Sequence, residues 1–106
     1  MSEKQREFGA KLFAALANSS RLHVVEFLSN GPAPVREIAE SVGLKQSITS
    51  QHLAILQNAG IVECHPQGQM HYYSLRGDRV ILILRLMQEF YEEHLESMRD
   101  LFEAEL

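Results

Sequence analysis

At 106 residues and 45% apolar content the chain fits one domain, residues 1–106, with a modest core. No run of about eighteen apolar residues occurs, which argues against a membrane-spanning helix. The opening MSEKQREFGAKLF mixes charges and lacks the unbroken apolar core of a signal peptide. One cysteine excludes an internal disulfide framework and fits a reducing, cytoplasmic setting. The net charge of −4 is unevenly spread: residues 77–106 hold eight acids against three arginines, whereas residues 1–76 hold six acids against seven bases. Between Ser41 and Gly77 the only acid is Glu63. Whole-chain acidity therefore says little about what the middle of the chain binds.

Residues 3–17, EKQREFGAKLFAALA, put Phe8, Leu12 and Leu16 on one side with Phe13 beside them, the pattern of an amphipathic helix. Asn18 is a good N-cap for a second helix, SSRLHVVEFLS, which stops at Asn30-Gly31. His23 follows Leu22 in a helix that must pack, so a partly buried structural imidazole is expected there. GPAP reads as a linker. Pro34 suits the first turn of a short third helix, VREIAESV, which Gly43 ends. A fourth helix, KQSITSQHLAIL, runs on to Asn58-Ala59-Gly60.

The pattern then changes to IVECHP and MHYYSL, short, β-branched and aromatic, with Gln67-Gly68 between them as a hairpin turn. From about Gly77 a long last helix is predicted. Its start, VILILRLM, is apolar nearly all round. Met87, Tyr91, His94 or Leu95, Met98 and Leu101 or Phe102 then recur at three- and four-residue spacing. The expected fold is mainly α with a small β-hairpin (α+β): four helices, two strands and a final helix.

REIAESVGLKQSITSQHLAIL has the marks of a helix-turn-helix. Ala39 is small where the helices would cross, Gly43 tolerates the positive φ of the turn, and Ile38, Val42, Leu44, Leu53 and Leu56 can pack the pair. The second helix would present its N-terminal residues to a DNA major groove. Gln46 and Gln51 offer paired donor and acceptor groups suited to adenine, and Ser47 and Ser50 can reach bases or phosphates. Lys45 and His52 flank them, and the absence of carboxylates lets the segment approach phosphates. With Gln67, Gly68 and Gln69 at the tip of the following hairpin, the unit reads as a winged helix-turn-helix.

LFAALANSSRLHVVEFLSNG, VREIAESVGLKQSITSQHLAILQNAGIVE and GQMHYYSL together resemble the ArsR/SmtB family of winged-helix repressors, over roughly residues 10–87. The resemblance implies a homodimeric repressor that binds double-stranded operator DNA and releases it when an effector arrives, often a metal or metalloid ion. It implies a dimer through the first and last helices, where Phe8, Leu12, Val80, Leu84, Met87 and Tyr91 are the candidates. The sequence supports a dimer independently, because VILILRLM is apolar on more sides than one small domain can cover. Two recognition helices about 34–36 Å apart would read an inverted repeat.

The sensing chemistry departs from the family pattern. Where the family carries a pair of cysteines at the start of the third helix, this chain has PAPVRE. The family's other common site, on the last helix, corresponds here to about Gly77, Arg79, Phe90 and Glu93, without an imidazole. No metal or cofactor is therefore expected, and the effector is either none or something other than the usual metals. The wing tip, HPQGQ, lacks the arginines common in the family. Ile48-Thr49 places the larger apolar group one position early, so Thr49 would fill the core position and leave Ile48 outward.

A two-residue turn at Gln67-Gly68 would set Cys64 opposite His71, with His65 on the other face. That pair could hold a soft ion but offers fewer than the usual three or four ligands. His94 in EFYEEHLE is expected on a solvated acidic face. Two alternatives stand beside the repressor: a winged-helix protein-interaction module, and a redox-responsive repressor acting through Cys64. No nucleophile–base pair, phosphate loop or carboxylate dyad points to an enzyme.

Overall fold

Ser2 starts the first helix with a capping box: its Oγ accepts from the Gln5 N–H at 3.1 Å, and its own N–H donates to Gln5 Oε1 at 2.7 Å. The computed structural model describes residues 1–104. Helix α1 spans Glu3–Leu16 and α2 Ser19–Leu28, with Asn18 Oδ1 capping α2 by accepting from the Arg21 N–H at 3.0 Å. A two-residue strand β1, Ala33–Pro34, leads directly into α3, Val35–Val42. Helix α4, Gln46–Asn58, is followed by β2, Val62–Gln67, and β3, Met70–Leu75. Helix α5, Arg79–Ala104, is the longest element.

The predicted helix order holds, and a first expectation needs correction. GPAP is not a free linker: Ala33 pairs with Tyr73 and Pro34 with Tyr72, so β3 is the middle strand of a three-stranded antiparallel sheet ordered β1-β3-β2. The proline sits on an edge strand, where its missing N–H removes no central ladder bond. This short pairing ties the wing to the start of the helix-turn-helix.

The core lies where α1, α2, α3, α4 and β2 converge. Val24, Val25, Ile38, Leu53, Leu56 and Val62 are its most completely buried side chains of size. Leu12, Leu22, Tyr73, Val80 and Leu84 pack against it while keeping an exposed edge. His23 is a second correction: it is exposed, since Val24, Val25 and Leu28 occupy the inward side of α2.

The α3–α4 turn is closed by Gly43 at φ 72°, with the Gly43 and Leu44 N–H groups both donating to Ala39 O. A Cβ at residue 43 would meet no atom within 4 Å, so only the left-handed backbone opposes a side chain. Gly43→Ala is expected to destabilise the fold by about 1 kcal/mol, read from urea unfolding. An unchanged midpoint would show that this turn conformation is not required.

Candidate nucleic-acid interface

The helix-turn-helix sets α4 with one face in the core and the other in solvent. Thr49, Leu53 and Leu56 are buried, whereas Gln46, Ser47, Ile48, Ser50 and Gln51 are exposed. Thr49 is 0% exposed, and its hydroxyl donates to Lys45 O at 2.9 Å, so a polar side chain sits in the core with its donor satisfied. Ile48 is 39% exposed beside it. The reversed order of the two β-branched residues thus leaves the core filled and turns an apolar side chain outward.

Lys45 is the N-cap residue of α4, exposed and in extended backbone, and no side chain caps the helix. The first-turn N–H groups are therefore available to an anion such as a phosphate. His52 is half-buried, with Nδ1 3.3 Å from an Arg21 guanidinium nitrogen. A guanidinium only donates, so Nδ1 accepts and the neutral ring carries its proton on Nε2. Arg21 also donates from Nε to Ala15 O at 2.6 Å, tying α1, α2 and α4 together. His52 is thus partly committed to holding α4 in place, a role not read from the sequence.

The hairpin register is a third correction. Gln67 pairs with Met70, Pro66 with His71, His65 with Tyr72 and Cys64 with Tyr73, so the turn residues are Gly68 and Gln69. Gly68 takes φ 65° at the first turn position, where the mirror-image hairpin turn needs a glycine. Cys64 therefore faces Tyr73 rather than His71. His71 is instead the diagonal neighbour on the same face, with its Nδ1 3.6 Å from Cys64 Sγ. Burial, then the charge and hydrogen bond of Cys64, push the Tyr73 phenol above its ordinary pKa.

Gln67, Gly68 and Gln69 are exposed at the wing tip. Glu63 is held by Arg76 Nε at 3.4 Å and His65 Nε2 at 3.0 Å, so the middle segment's one acid has basic neighbours. A cavity of ≈ 390 Å³ separates the wing from the helix-turn-helix, with Arg36, Gln46, Gln69, His71 and Tyr73 in its walls.

The proposed dimer residues divide. Leu12, Val80 and Leu84 lean on the chain's own core, while Phe8, Met87 and Tyr91 are exposed. Every residue from Arg85 to Ala104 is exposed, including Leu86 at 64% and Phe90 at 72%. Neither was singled out from the sequence, although the all-round apolarity of VILILRLM pointed at Leu86. His94 is exposed among acids. Among the described residues no three His, Cys, Asp or Glu side chains group as a metal site, and no helix is long and apolar enough to cross a membrane.

A helix-turn-helix with an outward polar face, followed by a glycine-tipped hairpin, defines a winged helix-turn-helix protein. Residues 18–63 match the family model described as bacterial regulatory protein, arsR family. The transcriptional regulator NmtR of Mycobacterium tuberculosis is 39% identical over 88 residues, covering 81% of this chain and 71% of that protein. Rv0324 of the same organism is 34% identical over 86 residues, and this chain spans 38% of its length. The homodimeric winged helix-turn-helix DNA-binding domain of Mb0332 from Mycobacterium bovis, a possible ArsR-family regulator, superposes with a TM-score of 0.80. The two are 31% identical, over 91% of this chain and 92% of that one. The chain belongs to the ArsR family and is a DNA-binding transcriptional regulator.

Proposed function

We propose that residues 1–106 form one domain that acts in the cytoplasm as a homodimeric repressor on an inverted-repeat operator, by binding rather than by turnover. The observation that carries this reading is the exposed face of α4, which presents Gln46, Ser47, Ser50 and Gln51 without a carboxylate. Lys45 and the uncapped start of α4 meet phosphate, and the two glutamines read base edges. Gln67, Gly68 and Gln69 of the wing reach the neighbouring backbone, with His52 at the margin of the interface. Phe8, Leu12, Val80, Leu84, Met87 and Tyr91 form the seam between protomers, in keeping with the homodimer described for the Mb0332 domain.

Gel-shift titration on the DNA upstream of the chain's own gene tests this at several salt concentrations. Affinity should fall steeply with salt, because each neutralised phosphate releases counterions. A flat slope would favour a winged-helix module for protein partners, the reading that the arginine-free wing tip invites. Gln51→Ala is expected to relax discrimination at one base pair by ~1–3 kcal/mol. If that variant separates operator from scrambled DNA as well as the parent does, Gln51 is not a base-reading residue.

A further inference from the structure

Cys64 is the chain's single cysteine, and it has chemical company on the wing. His71 Nδ1 lies 3.6 Å from its sulfur. Tyr73 lies directly across the ladder from Cys64. Cys64 is half-buried and His71 exposed, so both donor atoms belong to a surface that a solute can reach. No third thiol, imidazole or carboxylate joins them among the described residues. Zinc takes three or four protein ligands, so this pair is a poor zinc site. One soft sulfur and one imidazole, close together and without a third ligand, match an ion that is content with two ligands in line.

We propose that Cys64 and His71 form a two-coordinate site for a soft monovalent cation with a filled d shell, copper(I) being the probe. The thiol loses its proton to solvent as the ion binds thiolate and imidazole, so the occupied site carries the same net charge as the empty one. Metal–ligand bonds of about 2 Å each place sulfur and nitrogen about 4 Å apart across the ion. From 3.6 Å the two side chains need to open by only a few tenths of an ångström. The choice of a soft ion follows from the thiolate, which favours copper(I) over hard cations.

Position gives the site a consequence. His71 and Tyr73 wall the cavity that separates the wing from Gln46 and Arg36. An ion on His71 would fix its ring on that wall and change how the hairpin sits beside α4. This consequence rests on the DNA-binding reading above, whereas ion binding itself does not.

Reduced protein is titrated anaerobically with copper(I) in competition with a chromophoric copper(I) chelator, and stoichiometry is read by native mass spectrometry. One ion per chain is expected. Cys64→Ser should abolish competition, and His71→Gln should weaken it at least about tenfold. If His71→Gln binds as tightly as the parent, the thiol acts alone and the proposal fails. It fails equally if the parent takes up no ion. Thermal melts of the variants establish that each is folded. Operator gel shifts on the metal-free parent and Cys64→Ser keep the two readings apart: loss of DNA binding by both overturns the repressor reading and leaves the ion titration standing.

Discussion

Leu86→Glu combined with Phe90→Glu is expected to yield a folded monomer that has lost most of its affinity for an inverted repeat. Both side chains are largely exposed on the single chain, so replacing them removes no core contact. The circular dichroism spectrum should stay that of the parent. In a dimer the same positions lie on the helix that carries Met87 and Tyr91, and two added carboxylates per protomer would be desolvated against like charges. Operator binding by two half-sites gains about 10²–10⁴ in affinity over one, and a monomer forfeits that gain. Sedimentation and gel shift on the same samples check the two halves of the expectation. A double variant that still sediments as a dimer would move the seam off this face of α5. Salt supplies a second readout: Glu89, Glu92, Glu93 and Glu96 share α5 with the apolar stripe, so screening should strengthen dimerisation while it weakens DNA binding.

The parts of the fold that were legible in the sequence share one property: neighbours in the chain decide them. Asn18 caps α2 because its side chain reaches an N–H three residues on. Gly43 ends α3 because the turn needs a left-handed residue. Thr49 takes the core position because helix spacing places it with Leu53 and Leu56. What escaped the sequence depends on distant partners. Nothing in GPAP announces a strand, since Ala33–Pro34 is extended only because β3 lies beside it. The turn moved by one residue, and the pairing therefore by two, because Gly68 is the first rather than the second turn residue. That slip exchanged Tyr73 for His71 opposite Cys64, yet left all three on one face because diagonal neighbours share it. His52 gained a structural partner through Arg21, 31 residues away, which no local spacing could disclose. At the candidate site the exposed polar residues of α4 were legible for the reason its core was: a helix with three buried positions fixes which others face out.

The largest loss of stability is expected at the buried face of α4. Leu53→Ala should cost about 2–5 kcal/mol, from lost transfer free energy plus the cavity left where α4 meets the core. Leu53 is 0% exposed and belongs to the cluster with Ile38, Leu56 and Val62, so collapse around a smaller side chain would have to move α3 or β2. Domains of this size are stable by about 5–15 kcal/mol, and the variant could lose half of that. Urea unfolding of Leu53→Ala and Gln51→Ala, two residues apart on one helix, separates the faces. Gln51→Ala should stay within about 0.5 kcal/mol of the parent because its side chain is exposed, while losing discrimination between DNA sequences. Leu53→Ala should show the reverse at temperatures where it remains folded: less stability, with the same preference among sequences. If the two variants lose stability equally, α4 does not dock on this face, and the residues assigned to DNA would have to be chosen again from the other side of the helix.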